Sequence, residues 1–303
     1  MKDTAKRIIA IAGPSSTGKS ELAVRLAKYF NSEIISVDSR QIYKELNIGS
    51  AKPTEEEKQG IKHHLMDFLD LTQEYTVAEF SDDATKVIKT LFEQGKTPIL
   101  AGGTGLYYRV LLQDFDLPRV APDKVLREKL EQKSNEELYG LLMEKDSETA
   151  EKIHPNNRVK VIRALEVILT LNEKMSVAQK KKDNPFDVLW IGLDARDRQF
   201  LYERSNKRVD GMMEKGLLDE VKSLFKKYPN NKLLKATIGY QEFIPYFDGS
   251  QTLEECVDKL KQNTRNYIKR QLSWFRANKE INWFYIDEEN MDDIFNSVLA
   301  EIK

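Results

Sequence analysis

The chain has 303 residues, which is long enough for two domains or for one large domain with an insertion. Hydrophobic residues make up 40% of the sequence and charged residues 32%, a balance that excludes an intrinsically disordered chain. The chain has 48 lysines and arginines and 49 aspartates and glutamates, so its net charge gives no sign of a nucleic-acid partner. Any basic surface must therefore be local.

The chain contains one cysteine, Cys256, which excludes an internal disulfide and a cysteine-rich zinc site. The apolar run near residue 10 is too short for a secretion signal, and no stretch approaches the roughly 18 apolar residues of a membrane span. We therefore expect a cytoplasmic protein that does not contact a membrane. We also expect a monomer, because the sequence has no coiled-coil heptads that argue for assembly.

Short apolar runs predict four strands that alternate with helices along the chain. The strands are expected at 7–12, 33–37, 97–101 and 188–193, and the helices between them at 19–30 and 76–93. Such alternation indicates a parallel sheet that is covered by helices on both faces.

The segment 118–185 interrupts this alternation. It carries dense charge and helical patterns at 124–132, 135–145 and 158–171, without a convincing strand. We predict a mainly helical insertion domain at 118–185 and a core domain formed by 1–117 and 186–303. The part of the core that follows Asp197 is expected to be mostly helical.

A phosphate-binding motif lies between the first predicted strand and the first predicted helix. Its residues match G-x-x-x-x-G-K-[ST] and are Gly13, Pro14, Ser15, Ser16, Thr17, Gly18, Lys19 and Ser20. Backbone amides and the start of the helix can bind a di- or triphosphate, Lys19 adds a positive charge, and the Ser20 hydroxyl is the candidate magnesium ligand. The alternative, a glycine-rich turn that matches by chance, explains neither the strand nor the helix. We predict an α/β fold with a P-loop NTPase-like core, its parallel sheet flanked by helices.

Two aspartates, Asp38 and Asp194, directly follow predicted strands. Open α/β sheets bind ligands at the carboxyl ends of their strands, so either aspartate is a candidate for holding magnesium in an ATP-dependent enzyme. The phosphate-binding motif on its own favours a nucleotide or small-molecule kinase that binds ATP.

The stretch DSRQIYKELNIGSAKP at 38–53 resembles the D-S-x-Q-x-Y-x-x-x-x-I-G-[TS]-A-K-P stretch of tRNA dimethylallyltransferases. Further blocks resemble the same family in the same order: HHLMD at 63–67, GGTGLY at 102–107, IHPNN at 153–157, RALE at 163–166, ER at 203–204 with Arg208, IGY at 238–240, and TR at 264–265 with KRQ at 269–271. A single block is weak evidence, whereas this many blocks in order are specific. Eukaryotic members of the family carry a zinc finger that one cysteine cannot build, so the bacterial form is implied.

The resemblance implies transfer of a dimethylallyl group from dimethylallyl diphosphate to the exocyclic N6 of an adenosine next to the anticodon of tRNA, with magnesium as cofactor. It assigns Asp38 as the general base, and the alternative is a magnesium-binding or helix-capping aspartate. It places the Thr104 hydroxyl at the diphosphate or at the reacting base, and the alternative is a helix N-cap. It makes Arg208 a diphosphate clamp, and the alternative is a solvated basic helix face.

An adenine in the anticodon loop must be flipped out of its stack before it can enter a pocket. The residues expected to contact tRNA are Asp38, Ser39, Arg40, Gln41, Thr104, Arg127, Lys160, Arg163, Arg265, Lys269 and Arg276. The last three share one face of a predicted helix, whose interleaved aromatics are expected to be buried in the core. The alternative for the basic residues is an ordinary solvated face.

Three other functions compete with tRNA prenylation. A kinase would use ATP at the same loop but gives no role to the 38–53 block. A prenyltransferase that acts on free AMP would not need the helical insertion or a long basic helix. A non-catalytic P-loop protein would bind RNA without consuming a prenyl donor.

Overall fold

The computed structural model describes residues 7–113, 118, 120–121, 123–178 and 186–302. The chain divides into two compact units, Met1–Leu112 with Pro185–Lys303, and Gln113–Asn184. Residues 117 and 185, where the predicted domains meet, lie outside the described residues. Of the helices that the structure describes, none combines the length and apolar character needed to cross a membrane.

The first unit is built on a six-stranded sheet in which every neighbouring pair of strands is parallel. The strands are β1 (Arg7–Ala12), β2 (Ile34–Val37), β3 (His63–His64), β4 (Ile99–Gly102), β5 (Asp187–Asp194) and β6 (Asn282–Tyr285). They lie in the order β3-β2-β4-β1-β5-β6, so β1 is flanked on both sides. The predicted parallel α/β fold is confirmed, and β3 and β6 are edge strands that the sequence patterns did not predict.

Helices cover both faces of the sheet, and the secondary structure of the described residues in the second unit is helical. In chain order they are α1 (Lys19–Tyr29), α2 (Glu55–Lys58), α3 (Val77–Glu93), α4 (Gly105–Leu112), α5 (Lys124–Glu131), α6 (Asn135–Lys145), α7 (Ser147–Glu151), α8 (Arg158–Leu171), α9 (Met175–Ala178), α10 (Arg198–Glu214), α11 (Leu217–Lys227), α12 (Ile244–Phe247), α13 (Leu253–Phe275) and α14 (Met291–Ile302). Short 3₁₀ turns at Leu234–Ala236 and Gln241–Phe243 connect α11 to α12.

Two apolar layers sandwich the sheet, one on each face. Successive residues of a strand point to opposite faces, so Ile8 packs with α3 and α4 while Ile9 packs with α1 and α14. Both side chains are fully buried. A strand that is covered on both faces needs apolar residues at successive positions, which is why β1 is apolar from Ile8 to Ala12.

A third apolar cluster fastens the loop that follows β2 to the carboxyl-terminal helices. Ile42 and Leu46 of this loop are buried against α11, α13 and the ring of Tyr240. Glu220 of α11 reinforces the contact, because its carboxylate accepts hydrogen bonds from the Ile48 amide at 2.9 Å, the Gly49 amide at 3.0 Å and the Tyr240 hydroxyl at 2.7 Å. The helices that follow β5 therefore set the path of the chain after β2.

In the second unit, α5, α6 and α8 enclose a small core that contains a buried carboxylate. Glu166 of α8 has no exposed surface, and its two oxygens accept hydrogen bonds from Arg127 at 2.8 and 2.9 Å and from Arg163 at 2.5 Å. The Asp123 amide, which precedes α5, donates to the same carboxylate at 2.8 Å. Burial would raise the pKa of Glu166, but these partners together lower it.

We expect Glu166→Ala to destabilise the second unit by about 1–3 kcal/mol, because two guanidinium groups lose their carboxylate while they remain about a third exposed. A lowered folded-state pKa means that the stabilisation is present above the unfolded pKa of glutamate and is lost as pH falls through the folded value. Hydrogen exchange of α5 and α8 in a denaturant series at pH 7 and pH 3.5 measures both effects. Glu144→Ala, at an exposed position of α6, is the matched control; equal effects of the two variants would contradict the assignment.

Candidate active site

The P-loop, residues 13–20, lies between β1 and α1 at the carboxyl edge of the sheet. No residue with a side chain fits at its first glycine, because a Cβ at Gly13 would lie 2.3 Å from the Leu193 carbonyl oxygen of the neighbouring strand. Gly18 adopts a left-handed conformation with φ 91° immediately before α1. The amides at the start of an α-helix have no partner within the helix, so the loop directs N–H donors and the positive end of the helix dipole at this edge.

Lys19 and Arg208 place two positive charges close together at this edge. The pKa of Lys19 is lowered to about 7, mainly by burial and also by the nearby charge of Arg208, while Asp38 acts in the opposite direction. Burial also lowers the pKa of Arg208, against the attraction of Asp38 and Glu57. Two cations that share one nearby carboxylate favour the binding of an additional anion.

Helix α10 supplies Arg208 and also holds the P-loop. Arg204, one turn before Arg208, donates from Nε to the Ser16 carbonyl oxygen at 2.9 Å. Ser16 has φ 68°, a left-handed conformation that is uncommon for a residue with a Cβ. The contact with Arg204 therefore ties α10 to the strained part of the loop.

Asp38 directly follows β2, and its two carboxylate oxygens differ in their surroundings. Oδ1 accepts hydrogen bonds from the Arg40 amide at 2.8 Å and the Gln41 amide at 3.3 Å. No donor among the described residues bonds Oδ2. One oxygen fixes the side chain and the other is left for a ligand.

Thr104 connects the end of β4 to the loop that carries Asp38. Its hydroxyl oxygen accepts a hydrogen bond from the Ser39 amide at 3.1 Å, and its own amide donates to the Val37 carbonyl oxygen at 3.1 Å. The hydroxyl accepts from Ser39 and not from an amide of α4, so the observed contact is not that of an N-cap. The hydroxyl proton remains able to donate to a ligand.

Both carboxylate oxygens of Asp194 accept hydrogen bonds from the protein, in contrast to those of Asp38. Its Oδ1 accepts from the Ala195 amide at 2.8 Å, and its Oδ2 pairs with Arg276 at 2.8 Å. Asp194 is buried, so this pair neutralises a charge that would otherwise be costly inside the protein. Of the two aspartates, Asp38 is the one that lines the cavity and keeps a carboxylate oxygen that no described donor bonds.

One cavity of about 450 Å³ joins these elements. Its lining comes from the P-loop, the loops after β2 and β4, helices α10 and α13 and the turn that precedes α12. The predicted site residues that line it are Ser15, Lys19, Ser20, Asp38, Ser39, Arg40, Gln41 and Arg208.

The model of the IPP transferase family matches residues 41–278 of the chain. The chain belongs to this family. A curated tRNA dimethylallyltransferase from Alkaliphilus oremlandii is 43% identical to this IPP transferase over 98% of the chain and 97% of the relative. The family membership expected from the motifs is therefore confirmed.

Solved structures of family members have the same fold. The full-length tRNA isopentenylpyrophosphate transferase from Bacillus halodurans is 39% identical, with a TM-score of 0.73, and the match covers 98% of this chain and 97% of the other. A eukaryotic dimethylallyltransferase acting on tRNA is 30% identical, with a TM-score of 0.84, and covers 98% of this chain and 80% of its own.

The basic residues predicted on α13 of this IPP transferase have different surroundings. Arg265 donates to the Asn206 side chain at 2.7 Å, and exposed Lys269 lies 5.9 Å above the ring of Tyr202. Arg276, just after α13, is paired with Asp194 as described above. Arg265 and Lys269 thus remain candidates for phosphate contacts, whereas the Arg276 charge is already balanced.

In the second unit, the predicted RNA contacts lie on α5 and α8. Lys160 is exposed, whereas Arg127 and Arg163 both pair with the Glu166 carboxylate. These two arginines line a surface cavity of about 520 Å³ together with Arg158, which the sequence analysis did not single out.

The sequence patterns did not predict several residues that line the cavity. Gln271 links the P-loop to the turn after β4, and Tyr267, expected in the core, lines the cavity with its pKa raised to about 12 by burial and by Asp38. Trp274, also expected in the core, is 41% exposed. The block that contains Gln271 matched the family, but only its charged residues received roles, because an uncharged amide gives no electrostatic signal.

We expect the affinity for inorganic diphosphate to depend on the protonation of Lys19. Its pKa is about 7 in the free protein, so below pH 7 the charge is present before binding, whereas above pH 7 binding requires uptake of a proton. The advantage of the wild type over Lys19→Met should shrink by up to about tenfold per pH unit above 7. Titration calorimetry in buffers of different ionisation enthalpy, at pH 6.5, 7.5 and 8.5, measures Kd and proton uptake together. An advantage that does not change with pH would contradict the expected titration.

Proposed function

We propose that this IPP transferase moves a dimethylallyl group from dimethylallyl diphosphate to the exocyclic N6 of an adenosine next to the anticodon of tRNA, releasing diphosphate. The observation that carries the proposal is a single cavity that combines P-loop amides, two cationic side chains and a carboxylate with one uncommitted oxygen. The proposal includes a cytoplasmic monomer, as expected from the sequence.

The cationic side of the cavity suits the leaving group. As the bond between the allylic carbon and oxygen breaks, its electron pair moves onto the diphosphate, and an allylic carbon tolerates the positive charge that develops. Lys19, Arg208 and the amides at the start of α1 would stabilise the departing charge. Thr104 can donate its hydroxyl proton to the same group or to the reacting adenosine.

Asp38 suits the nucleophile. The adenine amine is weakly nucleophilic because its lone pair is delocalised into the ring, and it must lose a proton as the new carbon–nitrogen bond forms. Oδ2 of Asp38 would accept that proton while Oδ1 stays bonded to the amides of Arg40 and Gln41. The side chain can therefore change its charge without losing its position.

Magnesium fits the site as a partner of the diphosphate. Magnesium in such sites is held by one or two protein oxygens together with substrate phosphates and water, and the Ser20 hydroxyl lines the cavity beside Lys19. When bound, the ion would neutralise negative charge on the diphosphate. Among the described residues there is no cluster of three or more His, Cys, Asp and Glu side chains that could hold it without the substrate.

For tRNA, the proposal assigns the entry of the flipped adenine to the loop after β2, where Ser39, Arg40 and Gln41 line the cavity. Gln41 is held by donating from Nε2 to the Ala51 carbonyl oxygen at 3.2 Å. The proposal assigns contacts with backbone phosphates to Arg265 and Lys269 on α13 and to three basic residues of the second unit, Lys160, Arg127 and Arg163.

We expect labelled dimethylallyl diphosphate to transfer its label to bulk tRNA and to a synthetic anticodon stem-loop. A stem-loop with guanosine in place of the adenosine next to the anticodon is the control and should gain no label. Label on AMP, but not on the stem-loop, would contradict the proposal and indicate a prenyltransferase that acts on free nucleotides. Transfer of the γ-phosphoryl group of ATP would replace it by the kinase.

Asp38→Asn keeps the shape of the side chain but cannot take up the proton. A general base contributes about 10²–10⁴ in rate, so single-turnover transfer should fall by that order while donor and RNA affinities stay near those of the wild type. If Asp38 served instead as a magnesium ligand, excess magnesium would partly restore the rate. Rates measured over a magnesium titration decide between the two roles, and Asp70→Asn, at an exposed position, is the matched control.

A further inference from the structure

Gln271 is a buried amide at the point where α13 passes the P-loop. Its side chain is 3% exposed. Oε1 accepts hydrogen bonds from the Ser15 amide at 2.9 Å and the Ser15 hydroxyl at 3.2 Å, and Nε2 donates to the Gly103 carbonyl oxygen at 3.0 Å. A backbone amide only donates and a carbonyl only accepts, so the neighbours fix which end of the amide faces which loop.

The two loops that Gln271 joins carry opposite parts of the proposed reaction. Ser15 belongs to the P-loop, whose following residues face the leaving group. Gly103 precedes Thr104, whose hydroxyl holds the Ser39 amide next to Asp38. The connected contacts thus run from the P-loop through Gln271, Gly103 and Thr104 to the loop of the base.

The Gln271 side chain packs closely against the backbone at Gly103. A Cβ at Gly103 would lie 2.1 Å from Nε2 of Gln271, so the amide sits directly against the backbone. Tyr267, four residues earlier on α13, lines the same cavity as Gln271. A side chain with partners for both its oxygen and its nitrogen is held in one orientation, which is the requirement for fixing a distance between two loops.

We propose that Gln271 is a positioning residue that fixes the P-loop relative to the Asp38 loop and thereby aligns the leaving group with the base. The inference rests on the proposed prenyl transfer, since only a reaction that uses both loops at once needs their separation to be fixed. Both ends of its amide are bonded to the two loops, so in this proposal Gln271 acts through Ser15 and Gly103.

Two substitutions separate positioning from simple packing. Gln271→Met keeps the volume and removes the two hydrogen bonds with Ser15 and the one with Gly103. Gln271→Glu keeps an acceptor for Ser15, but when ionised it faces the Gly103 carbonyl oxygen with negative charge; when protonated it restores a donor and mimics glutamine. The titratable groups that line the cavity together with Gln271 are Lys19, Asp38, Arg40, Arg208, Tyr267 and Arg270, and rates are therefore compared with the wild type at each pH.

For Gln271→Met we expect a 10- to 100-fold loss in single-turnover prenyl transfer at saturating donor and tRNA, because a misplacement of about 1 Å can cost about 10²-fold. The Kd for inorganic diphosphate should change less than about threefold, since the amides of residues 16–20 and the charge of Lys19 are retained. For Gln271→Glu we expect the rate relative to the wild type to rise as pH falls from 8.5 to 6. Gln94→Met, at the exposed end of α3, is the matched control and should leave the kinetics unchanged.

Hydrogen exchange of the Ser15 amide tests the link without any turnover. Loss of its acceptor in Gln271→Met should speed exchange at Ser15 at least tenfold while the melting temperature and the exchange of α1 stay close to those of the wild type. The proposal is overturned if Gln271→Met transfers the prenyl group at the wild-type rate, if only donor affinity falls, or if Gln271→Glu follows Gln271→Met at every pH. Absence of prenyl transfer by the wild type would instead overturn the proposed function, and Ser15 exchange would still report on the link.

Discussion

The site depends on one electrostatic constraint, the placement of Lys19 and Arg208 together in a partly buried cavity with Asp38 as their nearby carboxylate. Burial and mutual repulsion both disfavour the charged form of Lys19, so the folded protein holds this arrangement at a cost in stability. A bound anion would remove this repulsion between the two cations. Its removal would contribute to the affinity of the site for a diphosphate.

Such a site can persist only if its backbone is fixed from outside the cavity. The loops after β1, β2 and β4 are joined mainly by polar contacts, because apolar side chains cannot fill a cavity that must admit charged ligands. Arg204 holds the P-loop at Ser16, Glu220 holds the amides of Ile48 and Gly49, and Thr104 holds Ser39. Each contact ends on a backbone atom, so the loops are positioned directly and the side chains in the cavity remain available.

The sequence predicted those features that depend on local pattern. The P-loop and the strand before it are set by neighbouring residues, and Asp38 follows from the end of an apolar run. Strand β6 was not predicted; it has only four residues and follows a long helical segment, although three of its residues are aromatic. The pairing of Asp194 with Arg276, across 82 positions, and the contacts of Gln271 depend on where α13 passes the sheet, which no local pattern encodes.

The balance of charge distinguishes the cavity from the rest of the protein. Elsewhere, buried carboxylates are matched by donors: Glu166 by two arginines, Asp194 by Arg276, and Glu242 by the Gly239 amide at 2.9 Å and the Asn263 side chain at 2.7 Å. Proteins require such matching because an unpaired buried charge is strongly destabilising. At the P-loop the balance is reversed, because the cavity is lined by Lys19 and Arg208 together with the carboxylate of Asp38. This excess would mark the edge as an anion site even without the motif, and the uncommitted oxygen of Asp38 beside it is what makes the same site suited to more than binding.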